Sequence, residues 1–234
     1  MMVQNGRIVC STSSGVLAMV FAYFCLPLLI GGFLSPGQTP LLYYCAPLSL
    51  AGWVCWQSQL CRQDGEAFKL LPALGLTKPL CAWYYNIILA FAGIVVCGVV
   101  TFFWQQCLAG WGVEHCNPAL PGQELIRQWR WKEPWFYGVL LALTVFAPVT
   151  EEIFFRKILF EFFQRYINRR FAGGMAVLVF GLMHISLPIL PGLLILGGVL
   201  QYLYCRNFSL LPGVFLHMLN NVTAVALLAF APDV

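Results

Sequence analysis

Charge is what this sequence has least of. Asp, Glu, Lys and Arg together make up 9% of its 234 residues, while 60% are hydrophobic and the mean hydropathy is +0.79. A soluble domain carries about 25% charged residues, and a small globule hides only part of its apolar surface. A soluble enzyme, a disordered linker and a nucleic-acid binder are all excluded as main readings. The net charge of +4 is too small to hold a nucleic acid. Patterned cysteine is also missing. The ten cysteines form no CxxC or CxxH cluster. Cys25, Cys45, Cys55, Cys97 and Cys205 lie in or beside apolar runs, where Cys acts as a small hydrophobe. Cys107 and Cys116 flank one polar loop, and form a disulfide if that loop faces an oxidising compartment or stay two free thiols otherwise. There is no H-E-x-x-H, no internal repeat and no low-complexity segment. The expected fold class is all-α, a polytopic transmembrane helix bundle.

The few charges mark out the spans. None occurs between Arg7 and Arg62, a gap wide enough for two helices of roughly 20 residues each. Ser35-Pro36-Gly37-Gln38-Thr39-Pro40 supplies the turn between them. The short N-terminal stretch Met1 to Ser14 precedes an apolar run too long for a signal-peptide core, so this run is read as a retained first span. A third span is expected near Ala82 to Phe103, followed by a Gly- and Trp-rich loop from Trp104 to Pro134. The fourth starts near Trp135 and stays helix-compatible through Pro148 to about Tyr166. The charge-free stretch from Phe171 to Cys205 is broken at Ser186–Gly192 into two short spans. The last span covers about Leu210 to Phe230. The total is about seven spans, within six to eight. Residues 1–133 are expected to hold about three helices with their loops, and residues 134–234 the functional core of one membrane unit.

With the N-terminus in the cytoplasm, Arg7, Arg62, Lys69, Lys78, Lys157, Arg165, Arg169, Arg170 and Arg206 fall on or toward the inside. Only Arg127, Arg130 and Lys132 fall outside. The expected arrangement is therefore an integral membrane protein with its N-terminus inside, with membrane lipid as a partner and no nucleic acid.

Against this background a handful of residues is out of place. Ionisable groups within spans cost about 2.5–3.5 kcal/mol each and mark functional sites by default. Glu151, Glu152, His184 and His217 are such groups, and Arg156 follows the two acids on the same helix. At 1.5 Å per residue, Glu151 lies about 21 Å from Arg165, His184 about 21 Å from Arg170, and His217 about 16 Å from Arg206. Three helices thus place polar groups at similar depth from one basic face, which points to a shared intramembrane polar cavity. Glu152 and Arg156 are i,i+4 and can pair, while Glu151 is rotated away from them. His217 shares a face with Asn221, and Phe180 with His184. Asn220 points elsewhere. Each feature alone has a structural reading, as a buried ion pair, a hydrogen-bonding histidine or polar glue between helices; their coincidence favours a site.

The segment Glu151-Glu152-Ile153-Phe154-Phe155-Arg156 resembles the E-E-x-x-x-R motif of the CAAX prenyl protease and bacteriocin-processing family of intramembrane proteases. Phe180-Gly181-Leu182-Met183-His184 resembles its F-x-x-x-H motif, and His217-Met218-Leu219-Asn220-Asn221 its H-x-x-x-N motif. The resemblance covers roughly Tyr137 to the C-terminus, and the three N-terminal spans match no motif. It implies peptide-bond hydrolysis by water, without a covalent intermediate, near the membrane-embedded or lipid-modified end of a protein substrate. Glu151 would be the general base and His184 would help hold the water. His217 and Asn221 would stabilise the oxyanion, and Glu152 and Arg156 would be a supporting pair, with a share in the acid–base work as the alternative role for Glu152. The substrate class is a membrane-anchored or lipidated protein. The short chain and small loops resemble bacterial members, hence an inner membrane. No cofactor is expected. A zinc variant would use Glu151, His184 and His217 as ligands. Two other classes compete. One is a non-catalytic scaffold or immunity protein of the same fold. The other is a proton-coupled transporter, disfavoured by the absence of paired broken-helix repeats.

Overall fold

The computed structural model describes residues 3–4, 7–8, 52, 69–113, 134–184 and 186–230. The two spans expected between Arg7 and Arg62, the turn at residues 35–40, Cys116 and the bases Arg127, Arg130 and Lys132 lie outside the described residues. Among the described residues the chain is helical, apart from a two-residue antiparallel pairing of Val3–Gln4 with Arg7–Ile8.

A short helical turn at Leu70–Ala73 precedes helix α1, Trp83–Gly110. Twenty-eight residues of mostly apolar character make α1 longer than expected: the helix carries on through Trp104 and Cys107, and the loop starts after Gly110. The stop is Gly112, at φ 73°, a conformation open to glycine. Cys107 is therefore an exposed residue on a helix.

Helix α2 is a composite. It strings together Pro134–Leu141, Ala142–Phe146, Ala147–Glu152, Ile153–Leu159 and Phe160–Phe163, the second and fourth pieces being π-helical. Pro148 accounts for the first π segment. It has no N–H to return to the preceding turn, and Ala147 N–H reaches back five residues to Ala142 O. Thr144 Oγ1 donates to Leu140 O at 2.7 Å, and Thr150 Oγ1 to Phe146 O at 2.8 Å. Such back-bonds satisfy carbonyls where the ladder is disturbed.

Helix α3 is Arg169–Met183, capped by Asn168, whose side chain accepts from Phe171 N at 3.1 Å. The expected break follows as a 3-10 turn at Leu187–Ile189. Pro191 and Gly192, expected within the break, belong instead to the first turn of α4, Leu190–Asn207. Proline is tolerated there because that N–H would have no helical partner. Phe208, at φ 50°, ends α4, and α5 runs Leu211–Phe230.

Among the described residues three helices are long and apolar enough to cross a membrane: Trp83–Gly110, Phe136–Phe163 and Leu187–Asn207. A shorter apolar helix covers Leu211–Leu227. The protein is an integral membrane protein. The central element is α2, with 50% of its apolar window buried against 11% for α1. Around Phe154, Phe155 and Ile158 of α2 pack Phe180 of α3, Leu196, Leu200 and Leu203 of α4, and Leu210 and Leu216 around the start of α5.

Small and polar residues join α1 to α4. A Cβ on Gly192 would stand 2.0 Å from Thr101 Oγ1, and one on Gly93 would stand 3.1 Å from Val199. Close backbone approach at small residues is how helices associate where lipid removes the hydrophobic drive. Asn86 and Asn207 exchange amide hydrogen bonds across the same seam, Asn207 Nδ2 donating to Asn86 Oδ1 at 3.0 Å and Asn86 Nδ2 to Asn207 Oδ1 at 3.4 Å. Trp104 Nε1 donates to Leu187 O at 2.9 Å, tying α1 to the break between α3 and α4.

Gly192→Val should wedge this seam and cost about 1–3 kcal/mol. Gly198→Ala, at a position with nothing within 4 Å, should not. Thermal unfolding in detergent compares the two, and equal midpoints would contradict the close-approach account.

Candidate active site

The site is built from α2 and α5, which run antiparallel. One stripe of α5, Gly213, His217 and Asn221, repeats every four residues and meets α2 at successive levels. At the first level a Cβ on Gly213 would lie 3.1 Å from Glu152 Oε2, close enough that the carboxylate would have to shift by a few tenths of an ångström. One turn on, His217 Nδ1 stands 3.0 Å from Glu152 Oε1 and His217 Nε2 stands 3.7 Å from Glu151 Oε2. A further turn along, Asn221 Nδ2 donates to Leu143 O at 2.9 Å.

That last bond has a local cause. Ala147 N–H is committed to Ala142 O, and the next residue is Pro148, which has no N–H to offer. Leu143 O is left without a donor from either neighbour. A bare carbonyl away from water costs about 1–3 kcal/mol, and the Asn221 amide fills the vacancy. An amide carries two N–H groups, so the contact uses one and fixes the direction of the other. Asn220 lies beside it, Nδ2 3.5 Å from Asn221 Oδ1.

Glu152 is fully buried, and Arg156 nearly so. Arg156 Nη1 is 3.1 Å from Glu152 Oε1, and Arg156 Nη2 donates to Gly197 O of α4 at 3.3 Å. The guanidinium also lies over the Phe180 ring at 4.6 Å, a cation–π contact of the kind worth more when desolvated. Phe180 is itself wedged edge-on against Phe155, with centroids 5.2 Å apart, and meets the rings of His184 at 4.9 Å and His217 at 5.7 Å. It is the spacer that sets both imidazoles relative to the acids.

His184 sits at the C-terminal end of α3, its Nδ1 2.8 Å from Phe180 O. A carbonyl only accepts, so Nδ1 carries the proton and Nε2 presents a lone pair. That nitrogen can accept a hydrogen bond from water. Glu151 is the more open of the two acids, its side chain 19% exposed against 1% for Glu152. Its Oε2 is buried and has no hydrogen-bond partner among the described residues.

The expected pairing of Glu152 with Arg156 is therefore present, and the expectation that Glu151 stands apart is met only in part. Both carboxylates face His217, which lies between them. Among the described residues no three His, Cys, Asp or Glu side chains converge as a metal-holding group. Sequence reasoning missed Lys157, counted above as a face-marking charge. It is buried next to Arg156 and pairs with Glu161 at 2.7 Å, whose Oε1 also accepts from Tyr204 at 2.9 Å. The i,i+4 spacing of Lys157 and Glu161 was the available signal.

Removing Arg156 alone leaves a buried carboxylate without its countercharge. Arg156→Met should cost about 3–5 kcal/mol, and the double change Glu152→Leu with Arg156→Met should recover most of it. Denaturation of the purified variants in detergent measures both, and a single variant as stable as the parent would refute the ion-pair account.

Comparison with known proteins adds a family. Residues 133–223 match the model of the family described as "Type II CAAX prenyl endopeptidase Rce1-like". A curated protein of Bacillus subtilis (strain 168), named "Putative membrane peptidase YdiL", is 30% identical over 87 residues, covering 37% of this chain and 36% of its own length. The chain thus matches little more than a third of that relative. No solved structure matches it. All three motifs fall within residues 133–223, and the resemblance they carry to the CAAX prenyl endopeptidase family holds across that segment.

Proposed function

We propose that this protein is an intramembrane endopeptidase that hydrolyses a peptide bond near the membrane-embedded or lipid-modified end of a protein substrate. One observation carries the reading. Two carboxylates, an imidazole between them and a countercharged arginine are held together inside an apolar bundle, in a segment that matches a CAAX prenyl endopeptidase family.

In this reading Glu151 takes a proton from water as the water oxygen attacks the scissile carbonyl. Both acids have an oxygen without a hydrogen-bond partner among the described residues, but Glu151 is the one with partial exposure and no arginine against it, as suits a base awaiting water. The lone pair of His184 Nε2 accepts the water's other O–H and aims the nucleophile. The free N–H of Asn221 and the His217 ring stabilise the oxyanion, where fixed donors in a dry site contribute most. Glu152 and Arg156 hold His217 and do not meet substrate. No cofactor enters this scheme. The substrate is a prenylated or otherwise membrane-anchored protein, and the enzyme resides in a bacterial inner membrane with its N-terminus in the cytoplasm.

The test compares protein termini in membranes of cells carrying the parent or Glu151→Gln at equal abundance. A small set of membrane proteins should keep extra terminal residues in the variant, with cleavage slowed by about 10²–10⁴-fold, the usual worth of a general base. Identical termini would sink the protease reading and leave the polar site to transport or scaffolding.

A further inference from the structure

His217 has two ring nitrogens, and its surroundings decide which one holds the proton. Nδ1 faces Glu152 Oε1 at 3.0 Å, and the same oxygen faces the Arg156 guanidinium at 3.1 Å. Arginine is always protonated, so Glu152 is matched by a fixed positive charge, and a carboxylate only accepts hydrogen bonds. Glu152 Oε2 has no partner among the described residues and is packed against Gly213, so the contact through Oε1 is the one that acts on the ring. A bare Nδ1 there would set a lone pair against a carboxylate oxygen. The other nitrogen, Nε2, points to Glu151 Oε2 at 3.7 Å, beyond hydrogen-bond range, so a lone pair there meets its carboxylate at a longer distance than one on Nδ1 would; that oxygen has no hydrogen-bond partner among the described residues.

We infer that Glu152, held by Arg156, is a positioning residue that keeps neutral His217 protonated on Nδ1, so that Nε2 is a proton acceptor facing Glu151. This rests on the proteolytic reading and changes one of its parts. As a neutral ring, His217 cannot donate from Nε2 to an oxyanion, and it becomes a donor only on taking up the proton that leaves water. The water O–H bond breaks as its oxygen bonds to the carbonyl carbon, and the carbonyl π pair moves onto oxygen. The proton passes to Glu151 and on to Nε2, where the imidazolium N–H faces the new negative charge. When the C–N bond breaks, that proton goes to the departing amine. Water is consumed, and every group returns to its starting state.

The test needs no substrate. The chain has three histidines, so ¹⁵N-histidine labelling of the full-length protein in detergent micelles at neutral pH gives a resolvable set, assigned with His217→Gln and His115→Gln. In the parent protein, His217 should show a protonated Nδ1 and a bare Nε2, as His184 should from its bond to Phe180 O. In Glu152→Gln, where the amide can donate as well as accept, the Nε2–H form of His217 should rise at least about tenfold while His184 is unchanged. A His217 carrying its proton on Nε2 in the parent overturns the inference outright, whether or not the variant folds. An unmoved tautomer in a folded Glu152→Gln protein overturns the role of Glu152. Unchanged protein termini in the Glu151→Gln cells, with the tautomer as expected, would remove the proteolytic reading and leave the positioning of His217 intact.

Discussion

The packing of α3, α4 and α5 onto α2 depends on one buried charge pair. Glu152 and Arg156 lie one turn apart on α2, 3.1 Å from each other and almost wholly out of solvent. Desolvating either ion alone costs several kcal/mol, and Coulombic attraction offsets this only where further hydrogen bonds complete the set. Those bonds reach outward to other helices. Arg156 takes the carbonyl of Gly197 on α4, and Glu152 takes the ring of His217 on α5. Phe180 of α3 lies under the guanidinium. Three helices are thus brought to α2 by the need to satisfy two side chains. The apolar cluster of Phe154, Phe155, Leu196, Leu200 and Leu216 supplies packing that polar contacts alone would not.

The irregular course of α2 belongs to the same logic. Its π segments lie on either side of the turn that carries Glu151 and Glu152, as π-bulges do at functional sites. The proline that disturbs the first of them strips a carbonyl of its donor, and a side chain of α5 makes good the loss. In water a stray carbonyl would find solvent. In a lipid-embedded helix it has to be met by protein, so the N–H missing at residue 148 is turned into the aim of a side chain at residue 221.

Much of this was legible in the chain itself. The prolines and glycine of Ser186–Gly192 marked the break, which in the structure ends before Pro191. The paired acids with Arg156 and the spacing of Phe180 to His184 and of His217 to Asn221 follow from helical periodicity in an apolar sequence. So do the positions of α2, α4 and α5, although α1 outran its expected end because Trp104, Gln105 and Gln106 look like a loop and propagate as helix. What was not legible depends on rotation and partnership between helices. On an ideal helix Glu151 and Glu152 point about 100° apart, and nothing along α2 reveals that one imidazole, with a nitrogen on each edge, faces both. Gly213 reads as an unremarked small residue until Glu152 Oε2 is seen against it. Asn86 and Asn207 find each other 121 positions apart, a distance at which no spacing rule applies.

One consequence concerns biosynthesis. Both His217 and Asn221 reside on α5, the last of the described helices to leave the ribosome. Until it docks, Glu151 and Glu152 share no imidazole and Leu143 has no amide. A partly inserted chain therefore holds the acids and the arginine without the α5 side chains that complete their hydrogen bonds. The order of synthesis thus leaves the polar cluster incomplete until the final act of assembly.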